Sequence, residues 1–164
     1  MKYLLIAFLL ISLTSCGQTI FIVRHAEKGT PMGNSSDVPL SPEGEVRAQV
    51  LQEVLKNEKI EVIYTTNTIR TKTTAKPTAD HFGITTETYG PRPDSAFIAM
   101  LKNSKKNILV VGHSNTIDDI ANMLTGETVV PGDLKDSEYD NLYIIKRKGE
   151  KFVFKGERYG ASSQ

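Results

Sequence analysis

Two short segments carry side chains suited to binding and transferring an anionic group. Arg24 and His25 follow one apolar run, and His113 follows another far along the chain. A guanidinium presents a planar fork of donors that matches phosphate oxygens, and a neutral imidazole is nucleophilic. Arg70, near the start of a predicted helix, adds a second fork. We therefore predict that Arg24, Arg70 and His113 bind a phosphoryl group and that His25 receives it.

The predicted reaction starts at His25. A histidine among cations has its pKa pushed down, so this ring is expected to be neutral at physiological pH. One ring nitrogen can then attack phosphorus in line, and a phosphohistidine divides one difficult displacement into two easier ones. Water resolves that intermediate in a hydrolase. His113, protonated by a bound phosphate, would stabilise the equatorial oxygens of the transition state.

The segments with this chemistry follow predicted strands. Apolar and β-branched runs typical of buried strands occur at residues 19–23, 61–65 and 108–111, and residues 141–146 and 151–155 predict a C-terminal hairpin. Strands alternating with helices predict an α/β fold, a three-layer sandwich with a mostly parallel central sheet, an antiparallel edge hairpin and helices on both faces. Ligands bind beyond the carboxyl ends of such strands, so Arg24, His25 and His113 are expected to meet there.

Helix signals lie between these strands. Ser41 and Pro42 open the first helix as a capping hydroxyl and a proline at the first helical position. Its apolar stripe leaves Arg47 on the side predicted to face water. Further helices are predicted at residues 69–81, 96–102 and 116–124. Arg70 then lies in the first turn of the second helix.

The N-terminal residues predict export. Lys2 precedes an apolar stretch over residues 3–13, which as a helix would rise only about 16 Å and so is short for a membrane span. Leu13-Thr14-Ser15-Cys16 resembles the lipobox of bacterial lipoproteins, and Cys16 is the only cysteine. We predict a signal peptide at 1–15, a single catalytic domain at 16–164, lipidation of Cys16 and a cell-envelope location in the periplasm or outer membrane. The alternative is an ordinary cleaved peptide that leaves a free cysteine.

Charge and size narrow the class of ligand. The chain has 164 residues, with 20 Lys and Arg against 19 Asp and Glu, and cleavage before Cys16 would remove one of the basic residues, Lys2. A formally neutral domain has no overall basic field for nucleic acid, so no nucleic-acid partner is expected. The simplest interpretation of the basic run from Lys146 to Lys155 is the solvent-exposed side of a hairpin. The alternative is that a protein held at a membrane binds lipid head groups with it.

Four segments in order resemble the histidine phosphatase superfamily, also called phosphoglycerate-mutase-like. They are Arg24-His25-Ala26-Glu27-Lys28, Pro39-Leu40-Ser41-Pro42-Glu43-Gly44, Arg70 and Gly112-His113-Ser114-Asn115. The resemblance spans nearly all of the chain after Cys16. It implies a phosphorylated histidine at His25, a phosphate pocket of Arg24, Arg70 and His113, and no metal or cofactor. Lys28, Ser114 and Asn115 are the predicted substrate-binding residues, and the substrate is expected to be a small phosphorylated molecule.

The sequence departs from better-known members in three places. Alanine follows His25 where glycine is commonest. Met32 stands where many members carry a phosphate-contacting asparagine, and Lys28 or the nearby Asn34 could take over that contact. The acid-phosphatase branch places aspartate directly after its second histidine, and this chain has Ser114 there.

The proton donor to the leaving group is the open question. Glu87 is the nearest candidate and Asp94 the next, although some small members lack a dedicated acid. The leading interpretation is a phosphomonoester phosphatase. A phosphoglycerate-type mutase and a catalytically weak phosphate-binding lipoprotein are the alternatives.

Overall fold

The computed structural model describes residues 17–31, 33 and 37–163. The predictions for the signal peptide and for Cys16, Met32 and Asn34 concern residues outside this set. In chain order the elements are β1 (Thr19–Arg24), α1 (Pro42–Leu55), β2 (Val62–Thr65), α2 (Ile69–Phe82), β3 (Glu87–Thr88), α3 (Ser95–Asn103), β4 (Ile108–Gly112), α4 (Ile117–Thr125), β5 (Asn141–Lys148) and β6 (Lys151–Arg158).

The strands form one sheet in the order β3-β2-β4-β1-β5-β6. The first four are parallel, while β5 runs antiparallel to β1 and β6 antiparallel to β5. The fold class is therefore confirmed: an α/β sheet, mostly parallel, with an antiparallel hairpin at one edge.

Both faces of the sheet are buried. Along β1, Ile20 and Ile22 pack on the side of α3 and α4, whereas Phe21 and Val23 pack on the side of α1 and α2. All six residues of β1 are buried, which explains why the central strands have continuous apolar runs instead of alternation. The chemistry-bearing segments therefore emerge from the most rigid part of the molecule.

The helices begin and end close to where their caps predict. The side chains of Ser41, Thr68 and Asp94 each accept a backbone N–H in the first turn of the helix that follows. Gly83 and Gly126 end α2 and α4 with positive φ, the conformation in which glycine carries little steric cost. Asp94, the second candidate acid, is thus occupied as the N-cap of α3.

The prediction that Arg47 faces water is wrong. Its residue surface is 5% exposed, and its guanidinium binds both carboxylate oxygens of Glu27 and the backbone carbonyls of Tyr159 and Ala161. The C-terminal segment folds back over this side of α1 and covers it. Within the described part of the chain, no helix combines the length and apolar character that crossing a bilayer requires.

Candidate active site

The carboxyl ends of β1 and β4 bring the two histidine segments together. Arg24 is in register with Gly112, and the His25 backbone N–H donates to the Gly112 carbonyl at 2.9 Å. A side chain at Gly112 would meet the Tyr89 hydroxyl at 2.7 Å, so glycine permits this close packing. The rings of His25 and His113 lie edge to face, with their centroids 5.4 Å apart.

The hydrogen bond of His25 identifies its tautomer. Nδ1 lies 2.8 Å from the Ala26 carbonyl oxygen, which can only accept. Nδ1 must therefore carry the proton and donate it, so in the neutral ring Nε2 has the lone pair. This is the arrangement that a nitrogen nucleophile requires.

The surroundings of His25 keep its ring neutral. The pKa of His25 is lowered to about 3, mainly by burial and then by the charges of Arg24, Arg70 and His113, against the opposing effect of the Ala26 carbonyl. The residue is 3% exposed. At neutral pH essentially all molecules have the nucleophilic form.

His113 faces His25 with its own tautomer set by two partners. Its Nε2 lies 2.8 Å from the Thr66 hydroxyl, and its Nδ1 lies 3.5 Å from Nη2 of Arg70, which can only donate. Nε2 therefore has the proton and Nδ1 the lone pair. The pKa of His113 is lowered to about 4, mainly by burial and then by the charges of Arg70 and Arg24.

Arg24 is buried with a charge that few carboxylates balance. Its guanidinium lies 4.0 Å over the Tyr139 ring, and Nη1 donates to the carbonyls of Lys135, Asp136 and Glu138. Arg24 forms an ion pair with Asp136 at 3.4 Å, and the Asp136 side chain is 90% exposed. Burial lowers the pKa of Arg24 more than these neighbours raise it.

Arg70 approaches the pocket from the first turn of α2. Its Nη1 lies 3.4 Å from Asp37, which also accepts the Ile69 backbone N–H. Among the described residues, the buried Nε–H donors of both Arg70 and Arg24 lack a hydrogen-bond partner. Unsatisfied charged donors are costly in an interior, and a tetrahedral anion would satisfy them.

The comparisons with known proteins agree with this geometry. Residues 20–91, which include Arg24, His25 and Arg70, match the model of the histidine phosphatase superfamily (branch 1). Nearly half of the chain therefore resembles the histidine phosphatase superfamily in sequence. No curated protein matches it in sequence.

Solved structures of superfamily phosphatases share the fold. The protein histidine phosphatase SixA complexed with tungstate aligns with a TM-score of 0.68 at 18% identity, over 86% of this chain and 97% of SixA. The mycobacterial glucosyl-3-phosphoglycerate phosphatase with inorganic phosphate aligns with a TM-score of 0.65 at 14% identity, over 88% of this chain and 98% of that protein. A mycobacterial hydrolase aligns with a TM-score of 0.66 at 14% identity, over 90% of this chain and all (100%) of its own.

Packing explains two residues near the proposed nucleophile, Ala26 and Gly44. The Ala26 methyl is fully buried with Leu40 and Ala48, so the alanine after the nucleophile fills a small apolar cluster. A side chain at Gly44 would lie 2.4 Å from the Glu27 carbonyl oxygen, so glycine lets α1 pack against the loop that carries His25.

The remaining predicted site residues are less central. Glu87 lies on the edge strand β3, two strands away from β4, and its carboxylate bonds to the Tyr64 hydroxyl. The structure does not bring it together with His25. Lys28 is exposed and lies 3.7 Å from Asp136, Ser114 accepts the Leu134 backbone N–H through its carbonyl, and Asn115 is exposed.

Sequence reasoning missed several residues that support the pocket. Thr66 bonds to His113, Thr74 accepts the Ala26 backbone N–H, Asp37 pairs with Arg70, and Tyr139 stacks on Arg24. Thr66 directly follows β2, so the strand-end argument used for His25 applies equally to it. Tyr139 and Asp37 carry no local signal. Within the described residues, no group of three or more His, Cys, Asp and Glu side chains converges as metal ligands do.

Proposed function

We propose that this protein is a phosphatase that hydrolyses phosphomonoesters, without a metal, through a phosphohistidine on His25. The observation that carries the proposal is the tautomer of His25. Its Nδ1–H is committed to the Ala26 carbonyl, and the Nε2 lone pair belongs to a ring that lies among Arg24, Arg70 and His113. The two arginines supply the positive charge that phosphoryl transfer needs.

The first half-reaction forms a nitrogen–phosphorus bond. The phosphoryl oxygens accept the Nε–H donors of Arg24 and Arg70, which have no hydrogen-bond partner among the described residues. His25 Nε2 attacks phosphorus as the bond to the ester oxygen breaks, and that oxygen takes a proton as it leaves. In the second half-reaction water attacks phosphorus, the nitrogen–phosphorus bond breaks, and free phosphate is released.

The source of the leaving-group proton separates good from poor substrates. Glu87 contacts Tyr64 on the edge strand, and Asp94 caps α3. The carboxylates of Asp37 and Asp136 are ion-pair partners of the two pocket arginines. We therefore expect aryl phosphates, whose leaving groups need little proton transfer, to turn over far faster than alkyl phosphates.

The decisive experiment is trapping of the phosphoenzyme. Radiolabel from an aryl phosphate should appear on acid-quenched protein, and His25→Ala should lose both the label and turnover while remaining folded. His81→Ala is the matched control, because His81 is exposed at the far end of α2. Label retained in His25→Ala would refute the mechanism. Release of an isomeric ester in place of free phosphate would indicate a mutase.

The shortage of candidate proton donors to the leaving group favours one other function, a phosphate-binding protein with little turnover. It would bind inorganic phosphate through the same arginines but fail to hydrolyse even an aryl phosphate. Turnover of an aryl phosphate that depends on His25 excludes this alternative.

We further propose that residues 16–164 are the catalytic domain of an exported lipoprotein anchored through Cys16. Support comes from the apolar residues 3–13 and the lipobox-like Leu13-Thr14-Ser15-Cys16. Cys16→Ser should release the protein into the soluble exported fraction.

A further inference from the structure

The end of the molecule opposite the candidate active site is strongly basic. It is built where β1 and β4 begin and where the antiparallel β5 turns into β6. We use the name basic face for the residues Lys102, Lys105, Lys106, Lys146, Arg147, Lys148 and Lys151. Acidic residues also lie near this set, at Glu58, Glu61, Glu127 and Glu150. A chain that is close to neutral overall therefore concentrates positive charge at one end.

The described chain begins inside this face. The Gln18 carbonyl accepts the Arg147 backbone N–H at 2.9 Å, and the Gln18 side chain donates to the Leu101 carbonyl at 2.8 Å. Gly17 packs so closely on the Arg147 carbonyl that a side chain would come within 2.9 Å of it. Cys16, the proposed lipid anchor, directly precedes Gly17 in the sequence. A lipid anchor there would join the domain at the basic face.

The lysines of this face are crowded against one another. Lys148 is directly opposite Lys151 in the β5–β6 register, and Lys105 and Lys106 are consecutive in the loop before β4. Like charges directly opposite on neighbouring strands disfavour the fold. Several exposed lysines elsewhere have carboxylate partners, as in the pair of Lys76 with Asp80. Folding does not explain the crowding, whereas binding to a polyanionic surface does.

An aromatic ring lies within the same face. The half-buried Phe152 has the Lys102 ammonium at 5.9 Å and the Arg147 guanidinium at 5.4 Å from its ring centroid. Cations above an apolar ring form a surface that suits the boundary between head groups and acyl chains.

We propose that the basic face docks on the anionic head groups of a lipid membrane. Charge complementarity and the start of the described chain at Gly17, next to the proposed anchor Cys16, both favour this partner over a protein or a nucleic acid. The six residues of β1 rise about 20 Å, so docking holds His25 on the side of the domain away from the lipid. The proposal depends on the position of these charges and is independent of the reaction at His25.

The test compares two variants of the full-length chain on vesicles, both with Cys16→Ser so that acylation does not contribute. One carries Lys105→Gln, Lys106→Gln and Lys148→Gln on the basic face. The matched control carries Lys72→Gln, Lys76→Gln and Lys155→Gln, which removes the same charge from other surfaces. The vesicles are phosphatidylcholine with or without about one-third phosphatidylglycerol. Circular dichroism checks that both variants are folded.

Each lysine near an anionic bilayer contributes roughly five-fold to partitioning, so the basic-face variant should bind anionic vesicles on the order of 100-fold more weakly than the control. High salt should remove the difference. Acetylation of the parent chain gives a second measurement, in which Lys105, Lys106 and Lys148 should react more slowly on anionic than on neutral vesicles. Equal partitioning of the two variants, or equal acetylation on both vesicles, would overturn the proposal. Tighter binding to duplex DNA than to anionic vesicles would do so as well.

Discussion

Two buried arginines in this molecule have opposite electrostatic surroundings. Arg47 binds Glu27 through two nitrogens and completes its guanidinium with the carbonyls of Tyr159 and Ala161. Arg24 is even less exposed, but its neighbours are mostly neutral carbonyls, and its Nε–H has no partner among the described residues. The pKa of Arg47 is raised although burial opposes it, whereas burial lowers the pKa of Arg24.

The difference separates structural from functional charge. The charge of Arg47 is compensated within the fold by a carboxylate. Its guanidinium also holds the C-terminal segment against α1. A buried cation whose neighbours are neutral dipoles keeps most of its attraction for an external anion. Arg24 is of the second kind, whereas Arg70 is partly exposed and pairs with Asp37. Under the proposed function, the phosphoryl group would therefore meet its least compensated cation at the end of β1.

The largest expected effect follows from replacing Arg24. Arg24→Gln removes a charged donor aimed at developing phosphoryl charge, so kcat/KM for an aryl phosphate should fall roughly 10²–10³-fold. Inorganic phosphate should no longer raise the melting temperature. Arg47→Gln, the matched substitution, should lower kcat/KM less than about ten-fold. Equal losses of activity in the two variants would break the distinction between these arginines.

Replacing Arg47 should mainly reduce stability. Arg47→Gln leaves the Glu27 carboxylate without its partner, and we expect the free energy of unfolding to fall by roughly 2–3 kcal/mol, less than for a fully buried pair because the Glu27 side chain is 22% exposed. Urea denaturation measures the change. Adding Glu27→Gln removes the unpaired carboxylate and should restore part of the loss. No recovery in the double variant would show that the carbonyl contacts, and not the ion pair, stabilise this region.

Much of the fold was predictable because local signals and tertiary structure agree. The buried strands are continuous apolar runs, and Ser41, Asp94 and Gly83 cap helices as their residue types favour. The hairpin is longer than predicted, since β6 continues past residue 155 to Arg158. These last residues of the exposed edge strand have no apolar pattern. β3 has two exposed residues and therefore no periodicity to detect.

For three of the predicted site residues, the position at a strand end explains why they meet. Arg24, His25 and His113 each lie at or just past the carboxyl end of a parallel strand, so the fold brings them together. Glu87 was predicted as the acid from its position along the chain alone. The sheet order separates its strand, β3, from β1. The burial of Arg47 depends on contacts with Tyr159 and Ala161, more than a hundred positions away, for which helix periodicity has no signal.

The smallest expected effect is electrostatic and tests the comparison directly. Burial is the main reason for the low pKa values of His25 and His113, and the Arg24 charge adds to it. Arg24→Gln should therefore raise both pKa values from about 3 and about 4, by a fraction of a unit to about one unit. The control is Arg47→Gln combined with Glu27→Gln, which removes a neutral pair and should leave both pKa values nearly unchanged. Histidine ring signals followed by NMR during an acid titration measure both, with His81→Ala used to assign the third ring.

The same titration predicts the direction of acid destabilisation. Both histidines have folded-state pKa values below the unfolded value of about 6.5, so the unfolded chain binds more protons between these limits. Their contribution to stability is complete above pH 6.5 and is lost as the pH falls toward 4 and then 3. Raising the folded pKa values in Arg24→Gln should make that loss shallower, while the double variant Arg47→Gln with Glu27→Gln should retain the wild-type slope. A shallower slope in the double variant would mean that the Arg47 charge also reaches the histidines, and the two arginines would then differ only in degree.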